Sequence, residues 1–250
     1  MMQNLERLKR RAVGRLAQVS LDFARWLHCP VPLVSRRHIL KPESERETLF
    51  VLLPGIQDTH LEFETAGFIR AAKELDVPAD MVVVDAHIGY YAREMILERL
   101  REDIILPART EGYRKIWLVG TSLGGLGSVL YAGKYESDLD GVLLLAPFLG
   151  EKRLIREIDK AGGPESWSPV QSDFKAAIWS WLKNYFIDPL RNPKLYLGFG
   201  SRDCFEFACR FLAKALPGER VLMTSGAHEW GTWHRLWQEF LVRYAQIEVA

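Results

Sequence analysis

Cysteine is scarce in this chain: only Cys29, Cys204 and Cys209 carry a thiol among 250 residues. An odd number at irregular spacing builds no disulfide framework, and no paired short spacing of a zinc site occurs, so no metal is expected. A reducing, cytoplasmic location follows as the expectation, with each thiol read as a small buried hydrophobe. Charge of one sign is scarce too. The 33 basic and 32 acidic residues leave a formal net charge of +1, too little field to gather a polyanion, and no nucleic-acid motif is present. No apolar run reaches the roughly 18 residues of a membrane span. The basic first residues also lack the continuous apolar segment of a secretory signal. No internal repeat or low-complexity tract occurs.

What is present is an ordinary globular balance, 48% hydrophobic and 26% charged residues, in a chain long enough to bury a core without metal or disulfide. Residues 3–27 predict a helix. Leu5, Leu8, Ala12, Leu16, Val19, Phe23 and Trp26 fall on one face, and arginines and a lysine fill the remainder. Such a basic amphipathic segment (residues 1–30, closed by Pro30 and Pro32) suits packing on the domain, a peripheral membrane contact or self-association.

From Thr48 onward, short apolar runs alternate with helix-period stretches. The runs are Leu49–Leu53, Met81–Val84, Ile116–Val119, Gly141–Leu145, Leu195–Phe199 and Arg220–Met223. The helical stretches lie near 62–75, 92–111, 123–135, 205–216 and 231–246. Runs apolar throughout belong to strands covered on both faces, and the alternation predicts an α/β domain over 31–250 with a doubly wound, mostly parallel sheet. Residues 148–193 interrupt the pattern with Trp167, Trp179, Trp181, Tyr185 and Phe186. They read either as a small cap over the strand ends or as a long crossover whose aromatics are core.

In such a sheet, chemistry gathers on loops leaving the strand C-termini. Gly120-Thr121-Ser122-Leu123-Gly124 lies between an apolar strand and a helical stretch. A serine on so sharp a turn has a strained backbone and close neighbours, which explains glycine two positions either side. Serine needs a base, and His228 follows the last strand. Asp203, after the preceding strand, is placed to orient the imidazole; Glu151 is the rival acid, and His234 falls inside the final helix. Two N–H donors are needed for the developing oxyanion. Leu123 supplies one, and Ile56, with Gln57 next, supplies the other from Leu53-Pro54-Gly55-Ile56-Gln57-Asp58. Gln57, His87 and Trp230 are expected near the substrate, although local turn chemistry also accounts for Val84-Asp85-Ala86-His87. Tyr90 and Tyr91 read as pocket wall or core.

Together these residues resemble the α/β-hydrolase superfamily, in its esterase, thioesterase and lipase branches, over about residues 48–246. The tail Gly-Ala-His-Glu-Trp-Gly-Thr-Trp looks like the Gly-x-His-x-Trp-x-x-Trp ending of some esterase members. Two departures stand out: Pro54 where many members place histidine, and little room in residues 28–47 for the family's early strands. The resemblance implies a serine hydrolase acting on a small-molecule ester or thioester, with Ser122, Asp203 and His228 as triad and no cofactor. Acyl transfer by the same triad and a non-catalytic binding module on the same fold remain alternatives.

Overall fold

The computed structural model describes residues 28–42, 47–169 and 174–249, with side chains described as far as 246. The amphipathic segment expected at 3–27 lies outside these residues. Seven strands form one sheet in the order β1-β3-β2-β4-β5-β6-β7. They are β1 (Ser35–His38), β2 (Thr48–Leu53), β3 (Asp80–Val84), β4 (Lys115–Thr121), β5 (Gly141–Leu145), β6 (Lys194–Gly200) and β7 (Val221–Thr224). All neighbours run parallel except β1, which pairs antiparallel with β3 at the edge. Residues 28–47 thus do hold one early strand. Its sequence, Ser-Arg-Arg-His, is polar and largely exposed, so no apolar run marked it.

β2 is buried at every residue, and its side chains divide by parity. Leu49, Val51 and Leu53 enter one core, shared with Leu118 and Val142; Phe50 and Leu52 enter the other, with Trp117 and Leu143. That two-sided burial is why the strand reads as an unbroken apolar run.

Ten α-helical segments accompany the sheet among the described residues: α1 (Glu62–Thr65), α2 (Phe68–Glu74), α3 (Ile88–Ala92), α4 (Ile96–Leu100), α5 (Leu106–Thr110), α6 (Leu123–Tyr135), α7 (Lys152–Lys160), α8 (Phe174–Ile187), α9 (Glu206–Ala213) and α10 (Trp230–Val249). Two expected helices are subdivided. Gly67, at φ 84°, separates α1 from α2, and a π turn over Arg101–Ile105 joins α4 to α5. No helix among the described residues is long and apolar enough to cross a membrane.

Residues 148–193 carry α7 and α8. Trp179, Trp181 and Tyr185 of α8 are buried, and their polar tips donate to the Leu149 carbonyl, the Glu136 carboxylate and the Pro193 carbonyl. The segment also sends Phe148 and Phe174 to the wall of the large cavity beside Ser122.

The chain leaves β2 toward β3 on one side and returns to place β4 on the other. The crevice above the C-terminal ends of β2 and β4 is therefore a topological switch point. Leu53 pairs with Gly120, so the loops carrying Gly55–Asp58 and Ser122 leave the sheet side by side.

Candidate active site

Ser122 stands at φ 51° and ψ −109°, between β4 and α6, one of four non-glycine residues with positive φ among those described. A β-carbon rarely tolerates this region, so the surrounding packing must hold it there. The glycines permit that packing. A side chain at Gly120 would collide with the Gly124 carbonyl, and one at Gly124 with the Leu53 carbonyl. The Ser122 N–H donates to the Leu145 carbonyl at 3.0 Å, while its own carbonyl accepts from Gly125 and Phe148, each at 3.1 Å. The turn is thereby tied to β5 as well as to its own helix. Ser122 also caps the 13-residue α6, whose N-terminus contributes partial positive charge.

The sheet brings Asp203 and His228 together from the exits of β6 and β7. His228 Nδ1 lies 3.0 Å from both carboxylate oxygens of Asp203, whose side chain is wholly buried. The Phe205 N–H donates to Asp203 Oδ1 at 2.8 Å and fixes the carboxylate further. The imidazole sits edge-on against Phe205 and Trp233, each 4.9 Å away between centroids. Ser122 Oγ and His228 share no hydrogen bond in this arrangement.

Across the crevice, the Gly55 loop is held by Asp58. The Asp58 N–H donates to the Gly55 carbonyl at 3.3 Å, the Gly55 N–H returns a bond to the carboxylate, and Trp230 Nε1 donates to Oδ1 at 3.2 Å. Burial pushes the Asp58 carboxyl above its ordinary range, against the opposing pull of the indole and backbone donors. A β-carbon on Gly55 would stand 3.6 Å from that of Ser122. Neither the Ile56 nor the Leu123 N–H meets an acceptor among the described residues. Both residues, with Ser122, line a cavity of about 1070 Å³.

No family model matches this chain, and no curated protein sequence matches it. Solved structures do. A ferulic acid esterase superposes with a TM-score of 0.56 at 15% identity, over 86% of this chain and 98% of its own. Est1E from Butyrivibrio proteoclasticus gives 0.59 at 14% identity, over 87% and 94%. An S-formylglutathione hydrolase from Agrobacterium tumefaciens gives 0.54 at 15% identity, over 88% and 92%. The fold is that of an α/β-hydrolase. Within it, Ser122 follows the strand next to the switch point, and Asp203 and His228 leave the next two strands beyond β5.

The hydrolase fold sends other expected residues elsewhere. His87 is buried, but its Nδ1 accepts the Gly89 N–H at 3.2 Å, and it caps α3 rather than lining the cavity. Trp230 holds Asp58 and packs on Phe63 and Phe68; Gln57 is exposed on the loop, and neither lines the cavity. Glu151 pairs with Lys175 at 3.0 Å, and His234 packs beside Phe68 within α10. Cys209 is buried as expected, with its thiol pKa raised by burial. Cys29 is half-buried and Cys204 exposed, because the turn after Asp203 faces outward. Asp203, Cys204 and His228 form one cluster whose potential ligand atoms lie within 4.8 Å of one another.

Tyr91 lines the cavity and Tyr90 is core, as expected, but Asp58 and the rest of the wall formed by residues 88–98 escaped sequence reading. An aspartate after Pro-Gly reads as ordinary turn chemistry, and only its distant bond to Trp230 distinguishes it. Wall residues such as Ile88 and Leu97 carry no motif at all.

Proposed function

We propose that this protein hydrolyses carboxylic esters or thioesters through an acyl-serine. The observation that carries this reading is the strained Ser122 at a helix N-terminus, joined at one strand edge by the buried Asp203 carboxylate on His228 Nδ1. Asp203 holds the imidazole so that Nε2 is the nitrogen left to take the Ser122 proton, and the bond between them forms in the reacting complex. Ser122 Oγ attacks the carbonyl carbon. The oxyanion is held by the N–H groups of Leu123 and Ile56, which have no acceptor among the described residues to give up. The imidazolium then protonates the leaving alkoxide or thiolate, and the acyl group stays on Ser122. Water, deprotonated by His228, attacks the acyl-serine and releases the acid.

The structural neighbours include a ferulic acid esterase and an S-formylglutathione hydrolase, which supports ester and thioester chemistry on this fold. The test is covalent labelling with a fluorophosphonate, located by peptide mass spectrometry, alongside hydrolysis of p-nitrophenyl butanoate. One label on Ser122 is expected, with turnover falling at least about 10⁴-fold in Ser122→Ala while the circular dichroism stays unchanged. Retained turnover in that variant overturns the assignment.

A further inference from the structure

We infer that the acyl half of the substrate is a long, unbranched hydrocarbon chain lying along α6. This rests on Ser122 being the acylated residue. The cavity that holds Ser122 also reaches Leu123, Leu126, Leu130 and Lys134. These occupy positions i, i+3, i+7 and i+11 of one helix and so lie on one face. At 1.5 Å per residue, the path from Ser122 to Lys134 is about 18 Å.

The facing wall is supplied by Ile88, Tyr91, Ile96 and Leu97, with Phe148 and Phe205 also lining the cavity. The Tyr91 hydroxyl is turned away against Gly127, closed to solvent and without a hydrogen-bond partner. The middle of the groove therefore offers a ligand hydrocarbon and ring surface with no polar anchor. Charge returns at the far end, where Lys134 pairs with Glu98.

That sequence of surfaces selects a shape of ligand. A formyl or acetyl group would leave nearly all of the apolar wall uncovered. A hydroxycinnamoyl group would bring its phenol into the unpolar middle, where nothing accepts the hydroxyl, at a desolvation cost. An unbranched acyl chain covers the wall and makes no polar demand. An extended chain of single bonds advances about 1.2 Å per bond, so 18 Å accommodates about 15 bonds, or roughly 15–16 carbons. Beyond that length, methylenes meet the Lys134–Glu98 pair, which sets the ceiling.

The experiment measures kcat/KM for p-nitrophenyl esters from butanoyl to icosanoyl, each below its aggregation concentration. Each added methylene should raise kcat/KM about twofold or more up to roughly C15–C16, for at least about a 10³-fold gain over butanoyl, and then the gain should stop. Leu130→Trp, at a half-buried position, fills the middle of the groove; the dodecanoyl-to-butanoyl ratio should fall about 30-fold or more. Lys134→Met with Glu98→Gln, on the exposed end, should move the ceiling outward by two or more carbons. Dodecanoate binding to Ser122→Ala, read by calorimetry, reports the groove without turnover. It should exceed butanoate binding by at least tenfold and weaken in Leu130→Trp. A flat or falling chain-length profile, an unchanged ratio in Leu130→Trp, or equal binding of the two acids overturns the inference. Failure of Ser122 to label, with dodecanoate still binding preferentially, overturns the acyl-serine reading instead and leaves the groove assignment standing.

Discussion

On one face of the sheet, Phe50, Trp117, Trp237, Phe240 and Tyr244 pack ring against ring at centroid distances of 5.0 to 6.2 Å. Trp237 is fully buried, stacks on Phe68 and donates its indole N–H to the Phe68 carbonyl at 3.0 Å. On the other face, α6 sets leucines at the edge of a cavity of about 1070 Å³. Both faces of the strands are buried, yet one is covered by a cluster of large rigid rings and the other by a helix, α6, that borders the cavity beside a strained serine. Close packing fixes the sheet, and a fixed sheet can hold Ser122, Asp203 and His228 in register.

The contrast can be broken or sharpened by substitution. Asp203→Asn should have the largest effect, lowering kcat/KM about 10⁴-fold with little change in the urea midpoint, because the imidazole loses its orienting carboxylate. Trp237→Ala should behave in the opposite way. It opens a hole in the ring cluster and should lower stability by about 3–5 kcal/mol in urea unfolding, while the folded protein keeps its KM. A matching loss of kcat in folded Trp237→Ala would mean that the two faces are not separable. Gly124→Ala joins them: its methyl must displace the Leu53 carbonyl, so a stability loss of about 1–3 kcal/mol should accompany a fall in kcat.

The smallest effect is on pH dependence. Burial holds the Asp58 carboxyl above the ordinary range, so the folded protein keeps that proton more tightly than the unfolded chain. Its ionisation then weakens the fold as pH rises through the folded pKa. Asp58→Asn removes that ionisation, so the urea midpoint of the variant minus that of the parent should be more positive near pH 7 than near pH 4. The same difference at both pH values would remove Asp58 from this account.

The fold was readable wherever burial was two-sided. Thr48–Leu53 and Gly141–Leu145 are apolar runs because both faces of their strands are covered. Ser35–His38 was missed for the converse reason: an edge strand needs only backbone partners, and its polar side chains leave no periodic mark. Breaks inside helical stretches were equally silent. The left-handed Glu94 (φ 58°) between α3 and α4 is a backbone event with no composition signal.

At the site, the sequence alone singled out the candidate nucleophile and the tight turn that carries it. Glycines at 120 and 124 are required by backbone contacts within one turn, and a turn is local in the chain. The order of Ser122, Asp203 and His228 along the strands also followed from the alternation of runs. Tertiary structure alone decided what those residues face. Asp58 meets Trp230 across 172 positions, and Leu130 of α6 shares a cavity wall with Leu97 of α4. Contacts of that kind depend on how elements dock, and docking is set by the summed packing of the whole core rather than by any short pattern. Ser122 was therefore visible before the fold was known, and the surface its substrate would lie against was not.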